Sequence, residues 1–214
     1  MMENDRVAAS LRTQFEAGGL LCVNFMGAPG SGKTTLLERT LRTLPAHIRA
    51  AVLTSDIQTD NDARRLARAG YPVKQIGIGG ACHLDATMVM RGVEDWDLDA
   101  LDLLFIENVG NLVCPANVDL GEAATIVLLS VTESDETPEK YAGIYRRATL
   151  AIITKTDLVK HVAFDVNAAR ARIDRVHPGL PQILVSCHSG DGMRMWHRWL
   201  AAHHAAATAP AEVV

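Results

Sequence analysis

The stretch LLCVNFMGAPGSGKTT, residues 20–35, decides the fold of this chain. It begins as an apolar run typical of a buried β-strand, breaks into glycines, and ends on a lysine and two threonines. Gly27, Gly32, Lys33 and Thr34 satisfy G-x-x-x-x-G-K-[ST], the P-loop pattern, whose glycines leave backbone N–H groups free to converge on phosphates. A helical pattern follows, and the positive end of that helix adds to the anion site. The stretch therefore predicts a nucleotide phosphate site.

The polar residues of this loop have expected roles in the site. Lys33 would reach the β- and γ-phosphates, and the Thr34 hydroxyl would ligate Mg²⁺. A glycine-rich turn without a ligand is the alternative, and the strand before the loop and the helix after it argue against that alternative. The expected phosphate-binding residues are Gly27, Gly30, Ser31, Gly32, Lys33, Thr34 and Thr35.

Length and composition favour one ordinary globular domain. The 214 residues are enough for a full hydrophobic core, and the apolar and charged fractions are 48% and 21%. We expect a single domain over residues 1–204, with a leading helix in residues 1–18 and a flexible Ala-rich tail at 205–214. The net charge of −4 shows no basic excess, so nucleic acid is not an expected partner.

The N-terminus and the hydropathy pattern predict a cytoplasmic protein. Acidic residues stand where a signal peptide would be basic, and no apolar run approaches the length of a membrane span. The four cysteines should then stay reduced, which leaves metal binding, catalysis or plain burial as their roles.

Apolar runs alternate with helical patterns along the whole chain. This alternation predicts an α/β fold of the P-loop NTPase type, with a mostly parallel sheet of about seven strands and helices on both faces. Such folds bind ligands at the carboxyl ends of their strands. After the first strand, the expected strands are residues 50–54, 73–76, 101–106, 125–131, 150–153 and 183–185.

Carboxylates at strand ends provide candidates for the Mg²⁺ site. Glu107 follows the fourth apolar run, and Gly110, three residues later, could bring its N–H to the γ-phosphate as in nucleotide switches. Asp56 and Asp62 could supply further ligands, although Asp62 could equally be a charge favoured at a helix N-terminus. Glu107 could also be a surface carboxylate that closes a strand. The expected catalytic residues are Lys33, Asp56 and Glu107.

The sixth strand is followed by a segment that resembles the base-reading [NT]KxD element of GTPases. In that element the Asp, here Asp157, accepts hydrogen bonds from guanine N1–H and the 2-amino group, while the stem of the Lys, here Lys155, packs on the ring. Adenine would leave the carboxylate facing an acceptor, so the element predicts GTP over ATP. Ser186 and Cys187 occupy the place of the last guanine loop. A polar turn that starts a helix is the alternative.

Cysteine and histidine side chains suggest a second, softer metal site. Cys82 and His83 follow a glycine-rich loop, and Cys114 lies four residues after Gly110. Thiolate and imidazole suit Zn²⁺, Ni²⁺ or copper, but small buried hydrophobes are the alternative for both cysteines. Cys22 lies inside the first strand and should be buried. His197, His203 and His204 are expected on a solvated helix face.

Several of these segments, in this order, resemble the HypB-type hydrogenase nickel-incorporation GTPases over roughly residues 20–200. The urease-type nickel GTPases are close, but their metal motif has a Pro between Cys and His, which this chain lacks. The segments that carry the resemblance are SDIQTDNDARR at 55–65, GACHLDA at 80–86, ENVGNLVCP at 107–115 and SVTESDETPEKY at 130–141.

The resemblance implies a GTPase that delivers Ni²⁺ to the large subunit of [NiFe] hydrogenase. It also implies a small zinc- and nickel-binding partner, a GTP-dependent homodimer, and Ni²⁺ or Zn²⁺ bound by Cys82, His83 and Cys114 at the dimer interface. The printed sequence has neither the N-terminal cysteine motif nor the His-rich stretch that some members use for tight binding or storage. Those functions are therefore not expected.

The function predicted from the sequence is slow GTP hydrolysis coupled to metal delivery. We hypothesise that the GTP-bound switch places Cys114 for metal capture and that hydrolysis shifts it. One alternative is a metal carrier or sensor that binds nucleotide with negligible turnover. The other is a P-loop kinase that phosphorylates a small acceptor.

Overall fold

The computed structural model describes residues 2–55 and 61–209, and within them seven strands form one parallel sheet. The order across the sheet is β3-β2-β4-β1-β5-β6-β7. This confirms the predicted α/β architecture. The strands are β1 (Leu21–Gly27), β2 (Ala50–Thr54), β3 (Val73–Gln75), β4 (Leu103–Glu107), β5 (Ala124–Ser130), β6 (Leu150–Thr154) and β7 (Gln182–Val185).

Helices cover both faces of the sheet, because alternate residues of the buried strands point to opposite sides. The helices α2, α3 and α8 pack on one face, whereas α1, α4, α6 and α7 pack on the other. The helices are α1 (Met2–Ala17), α2 (Lys33–Thr43), α3 (Asn61–Ala67), α4 (Ala86–Val93), α5 (Thr137–Lys140), α6 (Ala142–Arg147), α7 (Val166–Val176) and α8 (Met193–Thr208).

The central position of β1 sets the location of the site. Parallel pairing places Phe25 beside Glu107 of β4 and Gly27 beside Leu128 of β5. Further out, Thr54 of β2 also pairs with Glu107. The carboxyl ends of β1, β2 and β4 therefore meet at one edge of the sheet, directly below the glycine-rich loop.

The C-terminal helix differs from the sequence-based expectation in two ways. It continues to Thr208 and so includes residues 205–208, which were expected to belong to the flexible Ala-rich tail, because alanine is the strongest helix former. Its histidines are partly buried rather than solvated: His197 Nε2 lies 3.1 Å from Thr43 Oγ1, and the His203 ring stacks 3.8 Å from that of Trp199. His204 is also half-buried, and its Nε2 has no hydrogen-bond partner in the described chain.

The segment between β5 and β6 contains two short helices, α5 and α6, that the apolar pattern did not predict. Each is shorter than two full turns, so neither shows a helical period in the sequence. None of the helices in the described ranges is both long and apolar enough to cross a lipid bilayer.

Candidate functional site

The glycine-rich loop after β1 forms a cradle at the N-terminus of α2. Gly30 and Gly32 have φ angles of 77° and 97°, in the left-handed region that glycine adopts without steric cost. Lys33 begins α2, and its Nζ donates hydrogen bonds to the carbonyl oxygens of Gly27 at 2.9 Å and Ala28 at 3.2 Å. The Ser31 hydroxyl is buried and lacks a protein partner among the described residues, as expected for a group that faces a polar ligand.

Glu107 joins the ends of three elements. Thr34 Oγ1 of α2 donates to Glu107 Oε1 at 2.6 Å, and Thr54 Oγ1 of β2 donates to Oε2 at 3.4 Å. Burial raises the pKa of Glu107. Mg²⁺ prefers oxygen ligands such as a hydroxyl and a carboxylate, so the residues present fit this cation.

An open cavity of about 730 Å³ lies above these strand ends. Asp62, at the start of α3, lines this cavity. Burial is the main cause of the raised pKa of Glu107, and the negative charge of Asp62 raises it further. Asp56 was predicted as a catalytic residue and Mg²⁺ ligand, and it lies outside the described residues. The candidate Lys155 also lines the cavity.

Gly110 contacts the phosphate loop closely. A Cβ atom at this position would lie 3.0 Å from Pro29 Cγ and 3.1 Å from the Pro29 backbone N. The absence of a side chain lets the segment that follows β4 rest directly on the loop. The segment after β4 and the phosphate loop are therefore in direct contact.

The predicted base-reading residues gather beyond β6 and β7. Lys155 has a φ of 58°, and it is the only residue other than glycine in the described ranges with a positive φ. Thr154 Oγ1, just before it, donates to Ser31 O at 2.6 Å and ties this loop to the phosphate loop. Ser186 Oγ donates to Asp157 Oδ1 at 2.6 Å, and this bond lowers the pKa of Asp157. The carboxylate is thus held ionised and exposed, in the form that accepts hydrogen bonds.

Cys187 lies beside this loop, half-buried, and burial raises the pKa of its thiol to about 11. Cys22 is fully buried in β1, as predicted.

The second predicted site comes together from two loops. One ligand atom from each of Cys82, His83 and Cys114 lies within 4.8 Å of the other two. Cys82 is exposed and Cys114 half-buried, so the alternative of two buried hydrophobic cysteines is wrong. Interaction with the Cys114 side chain raises the pKa of the Cys82 thiol. Two thiols and an imidazole that already converge are suited to a soft divalent metal, which would displace the thiol protons.

Two residues near these sites were not predicted from the sequence. Arg65 of α3 lines the cavity, and its guanidinium contacts Glu38 at 2.5 Å and Thr35 Oγ1 at 3.1 Å. Asn111 lies between Gly110 and Cys114 and bridges the two metal-site loops. No sequence feature of Arg65 indicates a role in the site. Asn111 could have been noticed from the sequence, because it stands between Gly110, the predicted switch glycine, and Cys114, a predicted metal ligand.

Comparison with known proteins places these features in a family. Residues 21–183 match the model of a family described as CobW/HypB/UreG, nucleotide-binding domain. The chain is similar to the hydrogenase maturation factor HypB of Azotobacter chroococcum mcd 1, with 50% identity over 200 residues that cover 92% of this chain and 65% of that relative. The chain thus spans slightly less than two thirds of that relative's length.

Two solved structures share the fold, each with a TM-score of 0.90 and 36% sequence identity. One is the hydrogenase maturation factor HypB from Archaeoglobus fulgidus, where the match covers 95% of this chain and 100% of that chain. The other is HypB from Helicobacter pylori in complex with nickel, where it covers 99% of this chain and 100% of that chain.

Proposed function

The chain belongs to the HypB hydrogenase maturation factors of the CobW/HypB/UreG family, and on this premise we propose that it is a GTP-hydrolysing metallochaperone for nickel. Its cargo would be Ni²⁺, with Zn²⁺ as a second metal of the same site. Its destination would be the large subunit of [NiFe] hydrogenase, reached with a small nickel- and zinc-binding partner.

One observation carries this proposal. The ligand atoms of Cys82, His83 and Cys114 converge within 4.8 Å, and Cys114 follows within four residues the glycine that touches the phosphate loop. The proposed metal site and the proposed phosphate site are therefore connected by a short, continuous segment of chain. A simple nucleotide enzyme would have no use for the first, and a simple metal store would have no use for the second.

Hydrolysis is proposed to proceed by in-line attack of water on the γ-phosphate of GTP. Lys33 and the backbone N–H groups of the loop would stabilise the charge that develops on the phosphoryl oxygens. Thr34 and Glu107, together with the candidates Asp62 and Asp56, would hold Mg²⁺, which neutralises phosphate charge when bound. Asp157 would select guanine by accepting the two hydrogen bonds that adenine cannot donate.

The number of soft-metal ligands, Cys82, His83 and Cys114, supports a role for a second copy of the chain. Three protein ligands leave a four-coordinate metal one ligand short, and a two-fold axis brings a second set of ligands to the same place. We propose that GTP favours this homodimer and that hydrolysis changes the position of Cys114. The affinity for Ni²⁺ would then differ between the two nucleotide states.

The test measures GTP turnover, bound Ni²⁺ and native mass in the same preparation of the purified chain. We expect Lys33→Ala to lower the turnover by about 100- to 1,000-fold while Ni²⁺ binding persists. Cys114→Ala and His83→Ala should abolish stoichiometric Ni²⁺ binding, whereas His161→Ala, an exposed histidine outside the cluster, should leave it intact.

Three results would count against the proposal. Negligible turnover in the presence of Ni²⁺ and Mg²⁺ would favour the carrier or sensor alternative. Labelled phosphate appearing on an acceptor other than water would favour a kinase. Equal Ni²⁺ affinity with GDP and with a non-hydrolysable GTP analogue would remove the coupling between the sites.

A further inference from the structure

The side-chain amide of Asn111 connects the two loops that carry the soft-metal ligands. Asn111 Nδ2 donates to the Cys82 carbonyl oxygen at 3.2 Å. Asn111 Oδ1 accepts from Val113 N at 2.8 Å and from Cys114 N at 3.4 Å. One end of the amide thus holds the backbone of one ligand, and the other end holds the backbone of the other ligand.

This connection requires a side chain that both donates and accepts. Asparagine offers an N–H₂ donor and a carbonyl acceptor on one short, planar group. An aspartate in its place would keep the two bonds from Val113 and Cys114 but would turn a second acceptor towards the Cys82 carbonyl. The bridge between loops is therefore chemically separable from the local turn that Asn111 makes.

Asn111 is also attached to the nucleotide side. It follows Gly110, the residue that rests against Pro29 of the phosphate loop, and its own N–H donates to Val109 O at 2.7 Å. Only the tight turn formed by Val109, Gly110 and Asn111 separates the phosphate loop from the amide. A shift of Gly110 would be carried to the Cys82 backbone through a single side chain.

A second asparagine joins the same two segments at their other ends. Ala86 N, at the start of α4, donates to Asn4 Oδ1 at 2.9 Å, and Asn4 Nδ2 donates to Asp119 O at 2.9 Å. Asn4 belongs to α1 and does not line the nucleotide cavity. The two segments are thus fixed to each other at their bases by Asn4 and near the metal ligands by Asn111.

We propose that Asn111 is a positioning residue that transmits the nucleotide state to Cys82. Cys114 follows the switch glycine directly in sequence, but Cys82 lies on a different loop. Through the amide bridge, both thiols move together when the segment after β4 moves. This inference rests on the proposed function, since it assumes that Ni²⁺ affinity depends on the nucleotide, and it names the residue that extends this dependence to the second loop.

The experiment measures Ni²⁺ dissociation constants with GDP and with a non-hydrolysable GTP analogue, for the wild-type chain and three variants. Asn111→Asp removes the bridge and keeps the local turn, Asn111→Ala removes both, and Asn4→Ala removes the bridge at the base. The ratio of the two constants is the readout, because the added charge of the aspartate acts on Ni²⁺ in both nucleotide states and largely cancels. The Ni²⁺–thiolate absorption band reports how many cysteines are bound.

For the wild-type chain we expect a ratio of about 5 to 150, the usual range of allosteric coupling. Asn111→Asp and Asn111→Ala should lower the ratio clearly below the wild-type value and change the thiolate band, while GTP-analogue binding stays at the wild-type level. A ratio somewhat above 1 should remain, because Cys114 still follows Gly110 directly in sequence. Asn4→Ala should lower the thermal midpoint and keep the wild-type ratio.

A wild-type ratio with Asn111→Asp would overturn the role of Asn111 and leave the proposed function in place. A ratio of 1 in the wild-type chain itself would overturn both. An equal loss of the ratio in Asn4→Ala would also overturn the proposal, because any loosening of the two loops would then suffice. If Asn111→Ala is poorly folded, Asn111→Asp decides the question, since it retains the hydrogen bonds of the turn.

Discussion

Thr34 and Glu107, 73 positions apart in the chain, meet in a hydrogen bond of 2.6 Å between Oγ1 and Oε1. The bond joins the first turn of α2 to the end of β4. The Glu107 carboxylate is buried there, and burial disfavours its charged form. The protein thus keeps an ionisable group in an unfavourable environment at the proposed Mg²⁺ position, as functional sites often do.

Glu107→Gln should stabilise the protein and impair the site. Burial raises the pKa of Glu107, so the folded chain holds this proton more tightly than the unfolded chain. Stability should therefore fall as pH rises from the ordinary carboxyl pKa through the raised pKa. Removing the charge should add roughly 1 kcal/mol to the free energy of unfolding at pH 7 and lessen this fall. Mg²⁺-dependent nucleotide affinity should drop about 10- to 100-fold.

Denaturant unfolding between pH 5 and 8, with nucleotide titrations with and without Mg²⁺, measures both effects. Glu133→Gln is the matched control, because burial raises the pKa of Glu133 as well but its carboxylate accepts a bond from Ser130 N instead. A Glu107→Gln variant that binds nucleotide and Mg²⁺ like the wild type would contradict the assignment.

Asp157→Asn should change the base preference. The asparagine amide can accept only one of the two guanine hydrogen bonds, and its N–H₂ suits the 2-carbonyl of xanthine. We expect GTP affinity to fall by about 100-fold or more and XTP affinity to rise. Competition binding with GTP, XTP and ATP measures this, with Asp5→Asn on the exposed side of α1 as control. Unchanged GTP preference in Asp157→Asn would show that another residue reads the base.

The four cysteines should differ in reactivity towards a thiol reagent at pH 8. Cys82 is exposed and should react faster than Cys22, which is fully buried, even though the interaction with Cys114 raises the pKa of the Cys82 thiol. With a pKa of about 11, only about one Cys187 thiol in a thousand is ionised at this pH. Ni²⁺ should protect Cys82 and Cys114 and leave Cys187 unaffected.

Mass spectrometry of labelled peptides assigns each reaction, and the chain unfolded in guanidinium should label at all four positions. Rapid labelling of Cys187, or labelling of Cys82 that saturating Ni²⁺ does not slow, would contradict this order.

Gly192→Ala should be far more destabilising than Gly179→Ala. Both glycines have positive φ, 75° and 80°, so each substitution should cost about 1 kcal/mol for the backbone conformation alone. At Gly192 the added Cβ would also lie 1.8 Å from the Leu184 carbonyl oxygen, whereas nothing lies within 4 Å at Gly179. We expect a loss above about 3 kcal/mol at Gly192, measured by denaturant unfolding. Similar losses in both variants would mean that φ, and not the contact with β7, decides the effect.

Local sequence patterns predicted most of the fold because buried parallel strands are continuous apolar runs. The strands were located to within two residues at β4 and β5, and the phosphate loop was identified from its glycines and Lys33. The same patterns missed α5 and α6, because helices this short are stabilised by tertiary packing rather than by a periodic face.

The soft-metal site could not be predicted from local sequence patterns alone. Cys82 and Cys114 belong to different loops, and their spacing alone left burial as an alternative. Only the parallel order of the sheet, with the β3–α4 and β4–β5 connections on the same edge, brings their side chains together. The role of Asn111 depends on a contact with the Cys82 backbone, and no property of the Asn111 neighbourhood in sequence encodes that contact.

The central position of β1 has a consequence for biosynthesis. Its two neighbours are β4 and β5, so Leu21 cannot find its pairing partner Leu103 until 82 more residues have been made. At about 5 to 20 residues per second, the first strand waits roughly 4 to 16 seconds with its backbone groups unpaired. The strand that carries the phosphate loop is buried along its whole length in the finished sheet, and of the seven strands it is synthesised longest before its first pairing partner. A nascent chain stalled before β4 should therefore be a better chaperone substrate than one stalled after β5.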